Sequence, residues 1–371
     1  MNSPLFSIII PCYNQAHFLI DCLGSLLGQT FTNWEAILVN DGSTDRTADL
    51  AEEFLQKDAR IQFISQSNQG LSAARNAGLH LAEGEYILFL DADDWLEPDC
   101  LQTFFEATLA NPSLSLFRAG YAYWDRPGGT KFHEHLPFIN GPIYPQVLTA
   151  NIGPCHSILI RRDLVCKVGE FDITLKSCED WDFWMRSGRL GAEIYSIPKV
   201  LVAYRYVLTS MSRHPQVMYA ALSEVSRRAT LPDPRLGNQT GEELVSLTNL
   251  PNIQKNHLIT VLGVLLHQGK AKEAIAWYLQ ESEKWQWDVQ GKDWSHLSSY
   301  LSWAYFSSQA EIFKLLADTR PVVSTFFFGL GYSADEIKNL LRLVFGMQLK
   351  KLNHFTYGTY LGAALNKLGR Y

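Results

Sequence analysis

The chain has 371 residues, of which 47% are hydrophobic and 19% charged, so it is long enough for two ordinary domains and too apolar to be disordered. Its net charge of −6 argues against general nucleic-acid binding, and no uncharged apolar run reaches the roughly 18 residues of a membrane span. Without a signal peptide or a C-x-x-C pair, the sequence predicts a cytoplasmic protein with reduced, mostly buried thiols.

Strands and helices alternate through the first ninety residues. The predicted strands are Phe6 to Ile10, Trp34 to Val39, Ile61 to Ser65 and Tyr86 to Leu90. A helical pattern follows each of the first three, over about Phe18 to Leu27, Asp45 to Leu55 and Leu71 to Ala82. Alternation at this spacing predicts an α/β fold with a doubly wound, mostly parallel sheet. Ligands of such sheets bind at the carboxyl ends of the strands, so Pro11, Asp41 and Asp91 should converge on one edge.

The rest of the chain changes character twice. Residues 140–210 are mixed, with predicted strands at Ser157 to Ile160 and Pro198 to Tyr206 around a helix at Glu179 to Ser187. Leu231 to Gly237 is typical of a linker, and only helical patterns follow it, including a helix from Lys270 to Trp285. We therefore expect an α/β domain over 1–214, a linker region over 215–251 and an all-α C-terminal domain over 252–371.

Three carboxylates follow the fourth predicted strand, in the segment Asp91-Ala92-Asp93-Asp94. They would repel one another strongly unless a hard cation such as Mg²⁺ or Mn²⁺ compensated them. Such a cation also binds a diphosphate and neutralises charge on a leaving nucleotide. The alternative is an Asx turn that caps the next helix, and for an isolated D-x-D that alternative would be preferred.

The ends of the other strands carry groups suited to a nucleotide. Tyr13 can stack on a base, and Asp41 can accept a hydrogen bond from a base N–H. Arg75 lies one turn into a helix that opens at Gly70 with small residues, where it can reach a phosphate or a base. Each residue also has an ordinary structural explanation. Tyr13 could be a half-buried aromatic, Asp41 could lie in a turn before the helix cap Asp45, and Arg75 could be a solvated arginine.

Glu179 and Asp180 stand at the start of a predicted helix, followed by Trp181 and Trp184. One of these carboxylates could take a proton from an acceptor hydroxyl, and burial beside the tryptophans would raise its pKa toward a useful range. Stabilisation of the helix N-terminus by acidic side chains explains the pair equally well locally.

Together these motifs resemble the family 2 glycosyltransferases, which have the GT-A fold. The resemblance covers about residues 5–212 and rests on five motifs in the expected order. They are Ser7-Ile8-Ile9-Ile10-Pro11-Cys12-Tyr13-Asn14, Val39-Asn40-Asp41-Gly42-Ser43-Thr44-Asp45, Asn68-Gln69-Gly70-Leu71-Ser72-Ala73-Ala74-Arg75-Asn76-Ala77-Gly78, Leu90-Asp91-Ala92-Asp93-Asp94 and Glu179-Asp180.

The resemblance implies an inverting, metal-dependent hexosyltransferase that moves a sugar from a nucleotide-sugar, most commonly a UDP-sugar, to an acceptor hydroxyl in glycan or polysaccharide assembly. GDP and dTDP donors stay open. Asp180 matches the catalytic base with Glu179 beside it, and Asp93 matches the ligand of Mn²⁺ or Mg²⁺. Asp91 matches a contact to the ribose or sugar. The positions matched to nucleotide-sugar binding are Pro11, Tyr13, Asn14, Asp41, Asn68, Arg75, Asp91, Ala92 and Asp93.

The sequence departs from the family pattern at two points. Val207 stands where many members carry a histidine after a Tyr-Arg pair, so either a water or His214 replaces that metal ligand, or Asp93 and the phosphates alone hold the metal. The Q-x-x-R-W signature of processive synthases is absent, which predicts a non-processive enzyme. The acceptor, whether a glycan, a lipid-linked or another molecule, is not specified.

Residues 338–371 carry six basic side chains and no acidic one, interleaved with apolar residues. Such a helix can lie on an anionic membrane surface, although packing on the helical domain is the preferred interpretation. Two other functions are compatible with parts of this pattern: a nucleotide-sugar-binding protein without turnover, whose helical domain mediates interactions, and a nucleotidyltransferase. The intact Glu179-Asp180 pair disfavours the first, and the lack of a Gly-rich start with its lysine disfavours the second. A dehydrogenase is disfavoured because no G-x-G-x-x-G follows the first strand.

Overall fold

The computed structural model describes residues 3–207, 210, 213–237, 249–287, 289–301 and 308–367. The chain divides into two compact units. The first consists of Met1–Gly129, Glu134–Val207 and Arg227–Val245, and the second of Thr130–His133, Leu208–Ser226 and Ser246–Tyr371. Among the described residues, no helix is long and apolar enough to cross a membrane.

The first unit is built on one mixed sheet, as predicted. Its strands are β1 (Phe6–Cys12), β2 (Trp34–Asp41), β3 (Ile61–Gln66), β4 (Tyr86–Phe89), β5 (Trp95–Leu96), β6 (Leu116–Trp124), β8 (Gly141–Pro142), β9 (Ile158–Arg161) and β10 (Glu193–Arg205), while β7 (Lys131–His135) is divided between the two units. The order along the sheet is β3-β2-β1-β4-β9-β6-β10-β5, and β8 pairs with β10. The sheet is mostly parallel, but β9 runs antiparallel to β4 and β6, and β5 runs antiparallel to β10.

Helices accompany this sheet, with the predicted ones close to their expected positions. They are α1 (Ala16–Leu27), α2 (Thr47–Lys57), α3 (Leu71–Leu81), α4 (Cys100–Ala110), α5 (Arg162–Val168) and α6 (Glu179–Arg189). Every residue of β1 and β2 is buried, which explains their almost continuous apolar sequences. Gly78 lets α3 pack closely on β1, because a Cβ there would lie 2.4 Å from Cγ2 of Ile9.

One strand of this unit differs from the sequence prediction, whereas the cysteines agree with it. The last strand begins at Glu193 rather than at Pro198, and its register with β6 shifts between Ile197 and Val202. Pro198 lacks the N–H that a regular ladder needs, so the strand continues through it as an irregularity. The six cysteines are free thiols, and Cys12, Cys22, Cys100 and Cys155 are buried, as predicted.

Beyond residue 246 the described chain is helical, as predicted. The helices are α8 (Leu250–His267), α9 (Ala271–Trp285), α10 (Ser298–Leu301), α11 (Gln309–Gly329), α12 (Ala334–Val344) and α13 (Gly346–Lys367). They enclose their own core, in which Leu258, Leu262, Trp294, Phe326 and Phe327 are fully buried.

The region 215–251 was expected to be a linker, but its first part is a regular helix, α7 (Pro215–Ala229). Pro215 stands at its first position, where a missing N–H costs nothing. Tyr219, Ala221, Val225 and Ala229 are buried, so this helix has an apolar side that the sequence analysis overlooked. The predicted linker Leu231 to Gly237 contains a short 3₁₀ turn at Pro234–Leu236.

Candidate active site

The predicted site residues follow strands that end at one edge of the sheet. Pro11 is in register with Val39, and the Leu90 amide donates to the Ile9 carbonyl, so the ends of β1, β2 and β4 are level. A tight turn follows β4, in which the Asp94 amide donates to the Asp91 carbonyl. The acidic segment therefore stands directly beside the end of β1.

Arg75 connects the acidic segment to the Glu179-Asp180 pair. Its guanidinium is buried, and it donates through Nη2 to Asp91 Oδ1 (2.7 Å) and through Nη1 to Glu179 Oε1 (2.5 Å). Two motifs that are 88 positions apart in the sequence (91 and 179) are thus held by one side chain. Burial disfavours the charged form of Asp91, but Arg75 and His156 together hold the pKa of Asp91 well below its usual value.

The other two carboxylates of the segment have different surroundings. Asp94 is 1% exposed and accepts a hydrogen bond from the Arg205 amide at 2.7 Å. Asp93 is half-buried, and burial together with Asp94 and Asp91 raises its pKa to about 8. The mutual repulsion expected from the sequence is therefore present, and a bound cation would relieve it.

His156, which the sequence analysis did not single out, lies beside this cluster. Its Nδ1 is 2.7 Å from Asp94 Oδ2 and 3.7 Å from Asp91 Oδ2, yet neither Nδ1 nor Oδ2 of Asp94 has a hydrogen-bond partner of acceptable geometry in the described structure. Burial opposes the charge of His156, but Asp94 and Asp91 raise its pKa to about 10. β9 is antiparallel to β4, so the turn before β9 lies at the edge where β4 ends, and no motif in the sequence marks this arrangement.

Asp91, Asp94 and His156 offer ligand atoms that all lie within 4.8 Å of one another. Two carboxylates and an imidazole suit Mn²⁺ as well as other first-row divalent ions, and orphaned polar atoms at such a place fit a bound ion. The residues present therefore fit a divalent cation. Asp93 is not part of this group, and His214, the candidate replacement from the sequence, lies in the second unit.

Arg205 fixes the turn that presents these carboxylates. Its Nε donates to the Asp93 carbonyl (2.7 Å) and its Nη2 to Asp21 Oδ2 (2.6 Å), while its guanidinium lies over the ring of Trp95. The neighbouring Tyr204 ring meets the His156 ring edge-on at 4.6 Å. Arg205 therefore holds the backbone of the acidic turn, and Tyr204 packs against His156 beside it.

The loops after β1 and β2 hold each other in place. Asn14 has a left-handed backbone (φ 54°), donates its amide to Ser43 Oγ and accepts at Oδ1 from the Thr44 amide. Asp45 is not the N-cap residue of α2, which is Arg46, but its carboxylate accepts from the first amide of α1 (Ala16) and of α2 (Thr47). Asn14 therefore orders the loops, and half-exposed Tyr13 is left available beside it.

The loop after β3 is tied to the end of β2. The buried Asp41 carboxylate accepts from the amides of Gln69 and Gly70 and from the Gln66 side chain. Gly42 allows this approach, because a Cβ there would lie 2.7 Å from the Asn68 nitrogen. Asp41 and exposed Asn68 are thereby brought to one place, and Asp41 keeps only part of its acceptor capacity free.

Asp180 is half-buried at the start of α6 and has a different partner from Glu179. The Asn151 side chain donates to its Oδ2 at 3.2 Å. Burial and the adjacent Glu179 raise the pKa of Asp180 to about 7, against the opposing effects of Arg75 and Asn151. A carboxylate with that pKa is suited to accept a proton near neutral pH.

Two structural neighbours share this fold. The S. aureus TarS 1-349 complex with UDP-GlcNAc has a TM-score of 0.51 and 17% identity, with 92% of this chain and 91% of that chain covered. The mannosyltransferase PcManGT of Pyrobaculum calidifontis, in complex with GDP-Man and Mn²⁺, has a TM-score of 0.52 and 16% identity, with 81% and 86% covered. At these identities the likeness shows the fold alone, which is of the GT-A type.

Sequence relatives extend the comparison. The glycosyltransferase GlyA of Streptococcus pneumoniae is 32% identical over 243 residues, which are 61% of this chain but 34% of the relative, so the match spans about a third of GlyA. The putative teichuronic acid biosynthesis glycosyltransferase TuaG of Bacillus subtilis is 30% identical over 211 residues, 56% of this chain and 82% of the relative. The model of the family described as glycosyl transferase family 2 matches residues 7–167. With these motifs, this fold and these relatives, the chain belongs to glycosyl transferase family 2.

Proposed function

We propose that the chain is an inverting, metal-dependent glycosyltransferase that moves a sugar from a UDP-sugar to an acceptor hydroxyl during glycan or polysaccharide assembly. The observation that carries this proposal is the Arg75 bridge, which holds Asp91 of the acidic segment and Glu179 beside the proposed base at one site. A donor diphosphate at the acidic segment and an acceptor at α6 would then meet in a single place.

The proposed roles follow from the surroundings of each residue. The donor lies along the ends of β1, β2 and β4, with Pro11, Ala92 and Tyr13 against the nucleotide, Asp41 and Asn68 at the base, and Asp91 toward the ribose or sugar. Arg75 and Asn14 shape this pocket through their contacts with Asp91 and the Ser43 loop. The relatives named above include a putative teichuronic acid enzyme, which favours a polysaccharide product.

Asp93 is the proposed metal ligand, and Asp91, Asp94 and His156 are proposed as the other protein ligands of the cation. When bound, Mn²⁺ or Mg²⁺ would neutralise charge on the leaving diphosphate. The identity of the ion is left to experiment.

The proposed chemistry is a single displacement. Asp180 accepts the proton of the acceptor hydroxyl as its oxygen forms a bond to the anomeric carbon of the sugar. The bond from that carbon to the diphosphate oxygen breaks on the opposite face, and the nucleoside diphosphate leaves with the electron pair. The configuration at the anomeric carbon is therefore inverted. Glu179 is occupied by its ion pair with Arg75, so its proposed role is to orient the site rather than to accept the proton.

The test is a donor screen. The protein would be incubated with Mn²⁺ and a panel of UDP-, GDP- and dTDP-sugars, with nucleoside diphosphate release as the readout and the anomeric configuration of the product determined by NMR. We expect release from a UDP-sugar with inversion. Release of pyrophosphate instead would indicate a nucleotidyltransferase, and a retained configuration would contradict the single displacement.

We also propose that the helical unit contacts an anionic membrane surface, at the inner face of the membrane, through residues 338–371. Supporting this, Lys338, Arg342 and Lys350 are exposed, and Tyr357, Tyr360 and Leu361 are more than half exposed on α13. On α12, Leu340, Leu341 and Val344 are buried by packing, whereas Leu343 is 41% exposed. Any lipid contact would therefore use the basic side chains, Leu343 and the exposed part of α13.

A further inference from the structure

Arg118, the third residue of β6, is an arginine without a counter-charge. It is half-buried, and its Nε is fully buried without a hydrogen-bond partner. Within the residues that the structure describes, its guanidinium takes part in no ion pair or hydrogen bond. Burial lowers the pKa of Arg118, and the opposing influence comes from the Tyr121 phenol, not from a carboxylate.

Other buried arginines of the same unit have acceptors for at least part of the guanidinium, although Nε of Arg75 and of Arg189 also lacks one. Arg75 and Arg205 pair with carboxylates, and Arg186 lies against Asp182. Arg189 donates to the carbonyls of Leu231 and Arg228. A partly buried guanidinium that no protein acceptor occupies is free to bind an anionic ligand, and its partial removal from water strengthens such a contact.

Arg118 lies beside the segment that approaches Asp180. A Cβ at Gly153 would lie 3.0 Å from Arg118 Nε, so the guanidinium is packed against the Gly153 backbone. The Gly153 amide donates to Asn151 Oδ1 (3.2 Å), and Asn151 donates to Asp180. Arg118 is therefore separated from the proposed base by one short chain of contacts.

That segment is itself anchored on α6. Trp181 Nε1 donates to the Val147 carbonyl (2.7 Å), and Gly188 leaves room for Val147 and Ile143 on the helix. The position of Asn151 and Gly153 between Asp180 and Arg118 is thus fixed by packing rather than by one contact.

We infer that Arg118 binds an anionic group, a carboxylate or a phosphate, on the sugar acceptor. A guanidinium fork matches the two oxygens of either group. The acceptor is the source because Arg118 is connected to Asp180, whereas the donor diphosphate belongs at Asp91 and Asp93. The inference rests on the proposed function, and it defines the substrate class as acidic glycans, either uronic acid-containing or phosphate-containing.

The experiment compares matched sugars. Calorimetry on the full chain with Mn²⁺ and UDP would use methyl β-glucuronide, glucose 6-phosphate and the neutral methyl β-glucoside as probes. We expect one anionic probe to bind about tenfold or more tightly than the glucoside, as one charge-assisted contact would give. Arg118→Gln should remove that preference. Arg162→Gln is the control, because it also removes one arginine charge but lies beside Ala82, at the opposite ends of the strands. This variant should keep the preference for the anionic probe.

Each outcome has a distinct meaning. The two anionic probes identify whether the carboxylate or the phosphate is recognised. Equal affinity for all three probes, or an anion preference that survives in Arg118→Gln, would overturn the inference. If UDP-glucuronate bound tighter than UDP-glucose in the wild type but not in Arg118→Gln, the anion would belong to the donor and the acceptor assignment would be wrong. Failure of the wild type to bind UDP would instead refute the proposed function itself.

Discussion

Asp180 and Glu179 are adjacent in the sequence but have opposite electrostatic surroundings. Glu179 is 8% exposed, and its carboxylate is occupied by the ion pair with Arg75. Asp180 is held by the neutral Asn151 and has a pKa raised to about 7 by burial and Glu179. A carboxylate without a cationic partner is the better proton acceptor of the two.

The rate of transfer should therefore depend on Asp180 ionisation. Because the base must be deprotonated, kcat/KM is expected to rise with pH through about 7 and then level off. Asn151→Ala removes a hydrogen bond that favours the charged form, so it should move this rise to higher pH. A pH–rate profile of both proteins is the measurement. A rise centred near pH 4, or no displacement in the variant, would contradict this assignment.

The cation should be held by more than the predicted Asp93. Asp93→Ala is expected to abolish the Mn²⁺ dependence of UDP binding, and His156→Gln should weaken Mn²⁺ binding by roughly tenfold or more. Calorimetry with and without Mn²⁺ measures both. His80→Gln, on an exposed histidine paired with Glu170, is the control and should leave binding unchanged. Wild-type Mn²⁺ affinity in either test variant removes that residue from the ligand set.

At the scale of the element, the segment from Ile143 to Gly153 is what brings Asn151 to α6. A Cβ at Gly188 would lie 2.7 Å from Cγ1 of Val147 and 3.2 Å from Cγ1 of Ile143. A glycine in the middle of a helix normally weakens it, so close packing is the reason for this one.

Gly188→Ala should therefore destabilise the protein and slow transfer. We expect a loss of about 1–3 kcal/mol from overpacking, with a lower melting temperature and a reduced kcat because Asn151 moves relative to Asp180. Gly24→Ala in α1 is the matched control, since nothing lies within 4 Å of its added Cβ, and it should stabilise by about 0.5–1 kcal/mol. Equal melting temperatures for the two variants would show that the segment does not pack on α6 as described.

The elements that the sequence predicted well are those with strong local signals. The apolar runs of β1, β2 and β4 and the alanine-rich α3 have a clear pattern, and the chain order of their motifs suffices to bring Asp91 and Arg75 to one edge. The sequence does not reveal His156, because its approach to Asp94 depends on the antiparallel insertion of β9. Nor does it reveal Asn151 or Arg118, whose partners are set by long-range packing. The helix α7 was overlooked because Pro215 and the turn residues of 231–237 suggested a linker.

Membrane contact by the helical unit is testable on α12 and α13. The double variant Lys338→Glu/Arg342→Glu and the triple variant Tyr357→Ser/Tyr360→Ser/Leu361→Ser should each reduce flotation with phosphatidylglycerol vesicles, because one removes attraction to the anionic surface and the other removes apolar contact. Lys272→Glu, an exposed charge on α9, is the control. Wild-type flotation that is equally strong with neutral vesicles, or none at all, would contradict the proposal.

For the whole molecule, the α/β unit contains the proposed donor-binding residues and the proposed base at one edge of a single sheet. Arg75 contacts Asp91 and Glu179 and so links the two parts of this proposed site, whereas the partner of Asp180 is Asn151. The helical unit has a hydrophobic core of its own.

The most direct measurement is a paired assay of UDP affinity and UDP release on the wild type and Asp180→Asn. With Mn²⁺, the best donor and an acceptor, the wild type should release UDP. Asp180→Asn should bind UDP with unchanged affinity. It should produce UDP from the donor about 10²–10⁴-fold more slowly, because that is the usual contribution of a positioned general base. A wild type that binds UDP tightly but releases none from any donor would be a binding protein without turnover. Near-normal release by Asp180→Asn would contradict the assignment of the base.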